Sequence, residues 1–180
     1  MDSQIIRGLM VGRFQPFHNG HLYLSNQILQ ECDELIIAIG SAQFNYIYKD
    51  PFTAGERVLM IHAALLESKI DLTRCYVIPI VNDENNARWL AHLRSMVPSF
   101  NILYSGNDFV TNLVSQEIKI KKPLFSKKKV YNGTNIRKQM ARMQNWKKLV
   151  PNAVFRVIEE IGGVTRLKTL LKSDSYPQQW

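Results

Sequence analysis

Ile5-Ile6-Arg7-Gly8-Leu9-Met10-Val11, closed by Gly12, and Leu35-Ile36-Ile37-Ala38-Ile39, closed by Gly40, decide the fold class of this chain. Each is a short, mostly apolar run without polar alternation, the pattern of a strand buried on both faces. Between them Leu24, Ile28 and Cys32 fall at helical spacing, predicting a helix over 22–31. Thr53-Ala54-Gly55-Glu56 has the Thr-x-x-Glu form of a capping box and opens a helix that runs to about residue 66. Residues 75–80 read as a third strand. Trp89, Leu93 and Met96 mark a helix ended before Pro98. Ile102-Leu103-Tyr104 is a fourth strand with a short helix after Asn107, and 118–124 a fifth, interrupted by lysines. Residues 133–143 and 151–161 read as helices, the second stopped by Gly162-Gly163. Strands alternating with helices predict an α/β fold built on a doubly wound parallel sheet of about five strands, followed by C-terminal helices. With no repeat, low-complexity stretch or long linker, residues 1–180 are expected to form one domain: a core over about 5–150, a helical part over about 151–172 and a tail over 173–180.

Composition narrows the class. The chain is 46% hydrophobic and 21% charged, which excludes collagen-like and disordered chains. No apolar run approaches the length of a spanning helix, and residues 1–6 lack the marks of a signal peptide. Two cysteines, Cys32 and Cys75, are too few for a disulfide framework or a four-ligand zinc site. A cytoplasmic address is expected, without a membrane partner. The net charge of +8 is unevenly placed: residues 113–150 carry nine Lys and two Arg against Glu117 alone, a net of +10. That segment is either a solvated lysine-rich surface or a positive wall facing a polyanion, nucleic acid or nucleotide phosphate.

Ligands of open parallel sheets bind beyond the carboxyl ends of the strands. Here those ends read Gly12-Arg13-Phe14-Gln15-Pro16-Phe17-His18-Asn19-Gly20-His21, Gly40-Ser41-Ala42-Gln43, Asn82-Asp83-Glu84-Asn85-Asn86 and Ser105-Gly106-Asn107-Asp108. Glycines with Asn and Ser beside them offer tight turns and hydrogen bonds to a polar ligand. Neither a P-loop nor a Gly-x-Gly-x-x-Gly fingerprint is present. In their place stands His18-Asn19-Gly20-His21. These imidazoles could ligate a metal, but no Cys or carboxylate stands at ligand spacing. One could cap the turn. Or both could sit at the N-terminus of the first helix, where the helix dipole and free N–H groups favour an anion.

His-x-Gly-His after a first strand resembles the nucleotidyltransferase superfamily, whose Rossmann-like fold is related to that of class I aminoacyl-tRNA synthetases. Five ordered motifs narrow the resemblance to the archaeal type of nicotinamide-nucleotide adenylyltransferase. They are the 12–21 string, Gly40-Ser41-Ala42-Gln43, Asp50-Pro51-Phe52-Thr53-Ala54-Gly55-Glu56-Arg57, Tyr104-Ser105-Gly106-Asn107 and Tyr131-Asn132-Gly133-Thr134-Asn135-Ile136-Arg137. The resemblance spans about residues 5–170. It implies transfer of the adenylyl group of ATP to nicotinamide mononucleotide (NMN), giving NAD and pyrophosphate. By the same resemblance His18 and His21 contact the ATP phosphates, while Arg13 and Arg137 grip the phosphates and the departing pyrophosphate. Gly12, Phe14, Gln15, Pro16, Ser105, Gly106, Asn107, Tyr131, Thr134 and Asn135 complete the ATP side. Gly40, Ser41, Ala42, Lys49, Arg57, Asn82, Asn86 and Trp89 form the NMN side, with Trp89 stacking on the ring.

Mg²⁺ bridging the phosphates, no protein metal ligand, no nucleic acid and a homo-oligomer, hexameric by resemblance, are the implied cofactor and partners. The chain departs from the family pattern at Asn82-Asp83, where an Asp is expected as reader of the carboxamide, so Asn82 or Asp83 takes that role. Lys49 replaces a common Arg, and Tyr46 a common His. The alternatives are an adenylyltransferase for another phosphate monoester such as FMN, or a basic nucleic-acid-binding module.

Overall fold

Alternate residues of the two central strands enter opposite cores, which is why their sequences carry no polar alternation. The computed structural model describes residues 4–83, 85–114, 117–124 and 130–172. Five strands, β1 (Arg7–Gly12), β2 (Glu34–Ile39), β3 (Cys75–Pro79), β4 (Ile102–Tyr104) and β5 (Lys119–Lys121), form one sheet in the order β3-β2-β1-β4-β5. All the pairings are parallel. Leu35, Ile37 and Ile39 of β2 pack with Met10, Ile28, Met60, Ile136 and Val154 on one side. Ile36 and Ala38 pack with Leu9, Leu90, Leu93, Leu103 and Val114 on the other. Each such fully buried Leu or Ile side chain contributes roughly 1.5–3 kcal/mol.

The first layer holds α1 (Asn19–Glu31), α2 (Ala54–Glu67), α5 (Gly133–Ala141), α6 (Asn152–Glu160) and α7 (Gly163–Lys172); the second holds α3 (Trp89–Met96) and α4 (Asp108–Val114). This is the doubly wound α/β arrangement expected.

Differences lie at the ends of elements. Helix α1 begins at Asn19 rather than 22, because His18 caps it. β5 is three residues long, its lysines leaving only Ile120 to pack on the second core. Helix α5 stops at Ala141, and Met143 turns to φ 55°. The C-terminal helical part is two helices: Gly162 follows α6 at φ 64°, and α7 starts at Gly163. The expected tail over 173–180 lies outside the described residues. No helix is long and apolar enough to cross a membrane, among the described residues.

Strand order reverses between β1 and β4. Their carboxyl ends, with that of β2, therefore open a crevice between the two helical layers.

Candidate active site

Three adjoining cavities occupy this carboxyl edge. The first, about 500 Å³, lies between the starts of α1 and α5 and is lined by Arg13, Phe14, Gln15, His18, Gly20, His21, Gly106, Asn107, Tyr131, Thr134 and Arg137. The second, about 300 Å³, sits over the reversal point against Gly12, Gly40, Ser41, Asn82, Trp89, Ser105 and Asn107. The third, about 420 Å³, is walled by Ser41, Phe44, Ile47, Lys49, Asp50 and Asn82. Arg13 lines all three, and Asn107 joins the first two.

The two imidazoles cap α1 reciprocally. Nδ1 of His18 accepts the backbone N–H of His21, and Nδ1 of His21 accepts that of His18, both at 3.3 Å. This is a capping box in which imidazoles replace the usual hydroxyl and carboxylate. The rings stack with centroids 3.5 Å apart, and Phe14 meets the His21 ring edge-on at 4.7 Å. A Cβ on Gly20 would come within 3.2 Å of the His18 ring and 3.1 Å of Tyr131, so the glycine of the motif leaves the rings their space. Because each Nδ1 accepts, each ring carries its proton on Nε2, which has no protein partner among the described residues. Capping thus uses one nitrogen of each ring and leaves the other available.

Burial pushes His18 down to about 4, and burial together with His18 holds His21 well below the ordinary histidine range. Both are neutral donors at pH 7. An unfolded chain protonates near 6.5 and the folded one near 4, so stability is full above about 6.5 and falls as the pH drops towards 4. For His18 alone the loss is of order 3 kcal/mol. Denaturant midpoints at pH 7 and 4.5 should therefore fall further for the wild type than for His18→Asn, which retains a strong helix cap. Equal falls would contradict the assignment.

Three guanidiniums surround one carboxylate. Asp50, 3% exposed, accepts Nη1 of Arg13 at 3.2 Å and lies close enough to influence Arg57 and Arg137. Arg137 is 3% exposed and donates through Nη1 to the Gln15 carbonyl at 2.7 Å and through Nη2 to Thr134 at 3.4 Å. Its Nε is buried with no partner among the described residues. Burial, then Arg13, lower its pKa, while Asp50 opposes them. Helix α5 comes this close because Gly133 has no side chain: a Cβ would lie 2.8 Å from the Gln15 carbonyl oxygen. Gln15 itself is latched, its side-chain amide exchanging bonds with the N–H and carbonyl of Phe52 at 3.0 and 2.9 Å.

On the other side, Oδ1 of Asn82 accepts the Ser41 N–H and Nδ2 donates to the Ser41 hydroxyl, both at 3.0 Å. This fixes the amide orientation. Asp83 instead accepts the Asn85 N–H at 2.8 Å and Arg88 at 3.2 Å, closing its own turn. Asn82, with Trp89, lines the second cavity, whereas Asp83 reaches only a small adjoining one of about 30 Å³ that Asn82 and Trp89 also line. Ala42 and Asn86 line none of the three cavities; nor do Pro16, which is buried, and Asn135, whose side chain donates to the Val130 carbonyl.

Arg57 differs from its expected role as an NMN contact. It is fully buried and donates to the carbonyls of Thr53, Arg13, Gly40 and Ser41 at 3.0–3.1 Å, tying three chain segments beneath the site. Among the described residues the basic segment turns several of its charges to partners away from the cavities. Lys121 pairs with Glu31, Lys122 approaches Asp108, and Lys147 stacks on Phe155. Of its described basic residues only Arg137 lines these cavities, and Lys127–Lys129 lie outside the described residues. Asp50 and the Gln15 latch went unassigned because pairing across 37 residues leaves no local sequence signal.

Residues 9–158 match the cytidylyltransferase-like family. A nicotinamide-nucleotide adenylyltransferase of Caldivirga maquilingensis is 46% identical over 98% of this chain and all of its own. One from Methanospirillum hungatei is 47% identical over 94% and 97% respectively. Among solved structures, a bifunctional NMN adenylyltransferase/ADP ribose pyrophosphatase from Francisella tularensis, complexed with AMP and Mn, shares the fold: TM-score 0.75 at 21% identity over 97% of this chain. The chain spans 58% of that protein. With near full-length identity to relatives whose names agree, the chain belongs to the cytidylyltransferase-like family and, within it, to the archaeal-type nicotinamide-nucleotide adenylyltransferases.

Proposed function

We propose that this protein transfers the adenylyl group of ATP to NMN, forming NAD and pyrophosphate by direct in-line attack of the NMN phosphate on the α-phosphorus. The observation that carries this reading is the meeting of two neutral imidazole donors with Arg13 and Arg137 around one cavity, which Arg13 joins to the cavity of Asn82 and Trp89. A phosphate monoester is already an anion at neutral pH, so the nucleophile needs no general base. Imidazoles that stay neutral and present Nε2–H suit that chemistry: they bind charge and take no proton. Catalysis is then positioning and neutralisation of charge on the α-phosphate and the leaving pyrophosphate.

In this scheme the ATP phosphates lie in the first cavity, against His18, His21, Arg137 and the N-termini of α1 and α5. The pyridine end of NMN lies against Trp89, with its carboxamide towards the Asn82–Ser41 pair. Arg13, common to the cavities, stands where the two phosphates meet. The described residues hold no cluster of three His, Cys, Asp or Glu side chains, and the donors of the first cavity are suited to phosphate oxygens. Mg²⁺ would therefore arrive on the triphosphate, held by phosphate oxygens and water, and add positive charge to the leaving group.

The test is ATP and Mg²⁺ offered with NMN, nicotinate mononucleotide, FMN or phosphopantetheine, following pyrophosphate. Release with NMN is expected. Release with FMN or phosphopantetheine alone would overturn the assignment. On the pyridine side, Trp89→Ala should raise KM for NMN by a factor corresponding to about 1–3 kcal/mol, leaving ATP nearly unaffected. Asn82→Ala should act in the same direction and Asp83→Ala should do little. The reverse order of Asn82 and Asp83 would assign carboxamide reading to Asp83.

A further inference from the structure

We propose that Arg166, on the C-terminal helix α7, is a positioning residue for the acceptor side of the site, holding the 41–53 loop in the shape that walls the third cavity. The inference rests on the reading of the Asn82–Ser41 side as the monoester's, and the third cavity shares Arg13, Ser41 and Asn82 with the second.

One guanidinium makes every tie. Nη1 and Nη2 of Arg166 reach the two carboxylate oxygens of Glu56 at 2.6 and 2.8 Å. Nη1 also donates to the Pro51 carbonyl at 3.2 Å, and the guanidinium carbon stands 4.7 Å from the centre of the Tyr46 ring. Glu56 in turn accepts the Thr53 N–H at 2.9 Å, completing the capping box of α2. Arg166 therefore grips the start of α2, the end of the loop and a residue in its middle. A planar fork can pair with a carboxylate through two parallel bonds while its face lies on a ring; an ammonium has no such fork.

Tyr46 marks what that grip maintains. Its φ is 52°, in the left-handed region that bulky residues seldom adopt and keep only where their surroundings impose it. Immediately after it, Ile47 and Asp50 exchange backbone hydrogen bonds at 3.4 and 3.0 Å, closing a tight turn. That turn and Phe44 present Ile47, Lys49 and Asp50 to the third cavity, and Asp50 reaches Arg13 from there. None of these loop residues lines the first cavity, whose walls come from the starts of α1 and α5. Disturbing Arg166 should therefore be felt more by the acceptor than by ATP, whose cavity the loop reaches only indirectly, through Asp50 on Arg13 and Phe52 on Gln15.

The test is the separate measurement of KM for NMN and for ATP in wild type, Arg166→Lys, Tyr46→Ala and the double variant. Arg166→Lys is expected to raise KM for NMN about tenfold with KM for ATP within about twofold, the signature of lost binding on one side. Tyr46→Ala leaves the Glu56 fork intact and should shift KM for NMN in the same direction. The double variant should be little worse than Arg166→Lys, because the two residues act through one contact. Equal rises in both KM values, or a lower melting temperature with both unchanged, would overturn the proposal. Wild-type turnover with NMN is the control: its absence refutes the functional reading, whereas turnover with an unsplit KM pattern refutes the role of Arg166 alone.

Discussion

His21→Ala is expected to lower kcat for NAD formation by about 10²–10³-fold, the usual effect of removing one preorganised donor of about 2.7–4 kcal/mol to a transition-state oxyanion. KM for NMN should change little. The size of the effect distinguishes chemistry from capping, because losing a helix cap costs only about 1 kcal/mol of stability. The reciprocal geometry supplies a sharper control. Glutamine is a natural third residue of a capping box, so His21→Gln can still accept the His18 N–H while losing the imidazole Nε2–H. It should melt near the wild-type temperature and remain slow. If His21→Ala, which has no side-chain donor at all, instead turned over at nearly the wild-type rate with only its stability lowered, the ring would be a cap and nothing more.

Arg137→Met should reduce kcat/KM for ATP by about 10²-fold or more, with Arg137→Lys falling between that variant and the wild type. The argument is electrostatic. The guanidinium is buried, its partners are a carbonyl and a hydroxyl, and its Nε is unmatched among the described residues. An unsatisfied buried donor costs roughly 1–3 kcal/mol, and under the proposed function a phosphate in the first cavity would supply its partner. Thermal melts of the purified variants separate a folding defect from a kinetic one. A fully folded Arg137→Met protein within threefold of wild type would remove Arg137 from the phosphate site.

The legible parts of this structure are those in which neighbours in sequence settle the matter. The apolar runs of β1 and β2 announce burial on both faces, and Thr53 with Glu56 announces the start of α2. The motif residues at the carboxyl ends of β1, β2 and β4 fall where the reversal of strand order makes a crevice. What could not be read is settled by residues far apart in the chain. Arg57 looks like any charged helix residue until two distant segments turn three carbonyls on it. Arg166 meets Glu56 across 110 positions. The lysines of 113–150 share a sign and a stretch of chain, which leaves a solvated surface and a positive wall equally open; among the described ones Lys121, Lys122 and Lys147 turn to Glu31, Asp108 and Phe155, partners that no local pattern announces. His18 is open to reading as a ligand contact or as a cap; the structure shows the cap, made by Nδ1, on a ring that also lines the first cavity, so the one role does not exclude the other.

The central claim is direct attack by the monoester on the α-phosphorus, with neutral imidazoles and guanidiniums supplying charge stabilisation and no covalent step on the protein. ATP labelled in its α-phosphate, incubated with Mg²⁺ and the protein with and without NMN, tests it most directly. The account predicts that all consumed label appears in NAD, with one pyrophosphate released per NAD, and that without NMN neither pyrophosphate nor protein-bound label forms. Label retained on the protein, or pyrophosphate released in the absence of NMN, would contradict it.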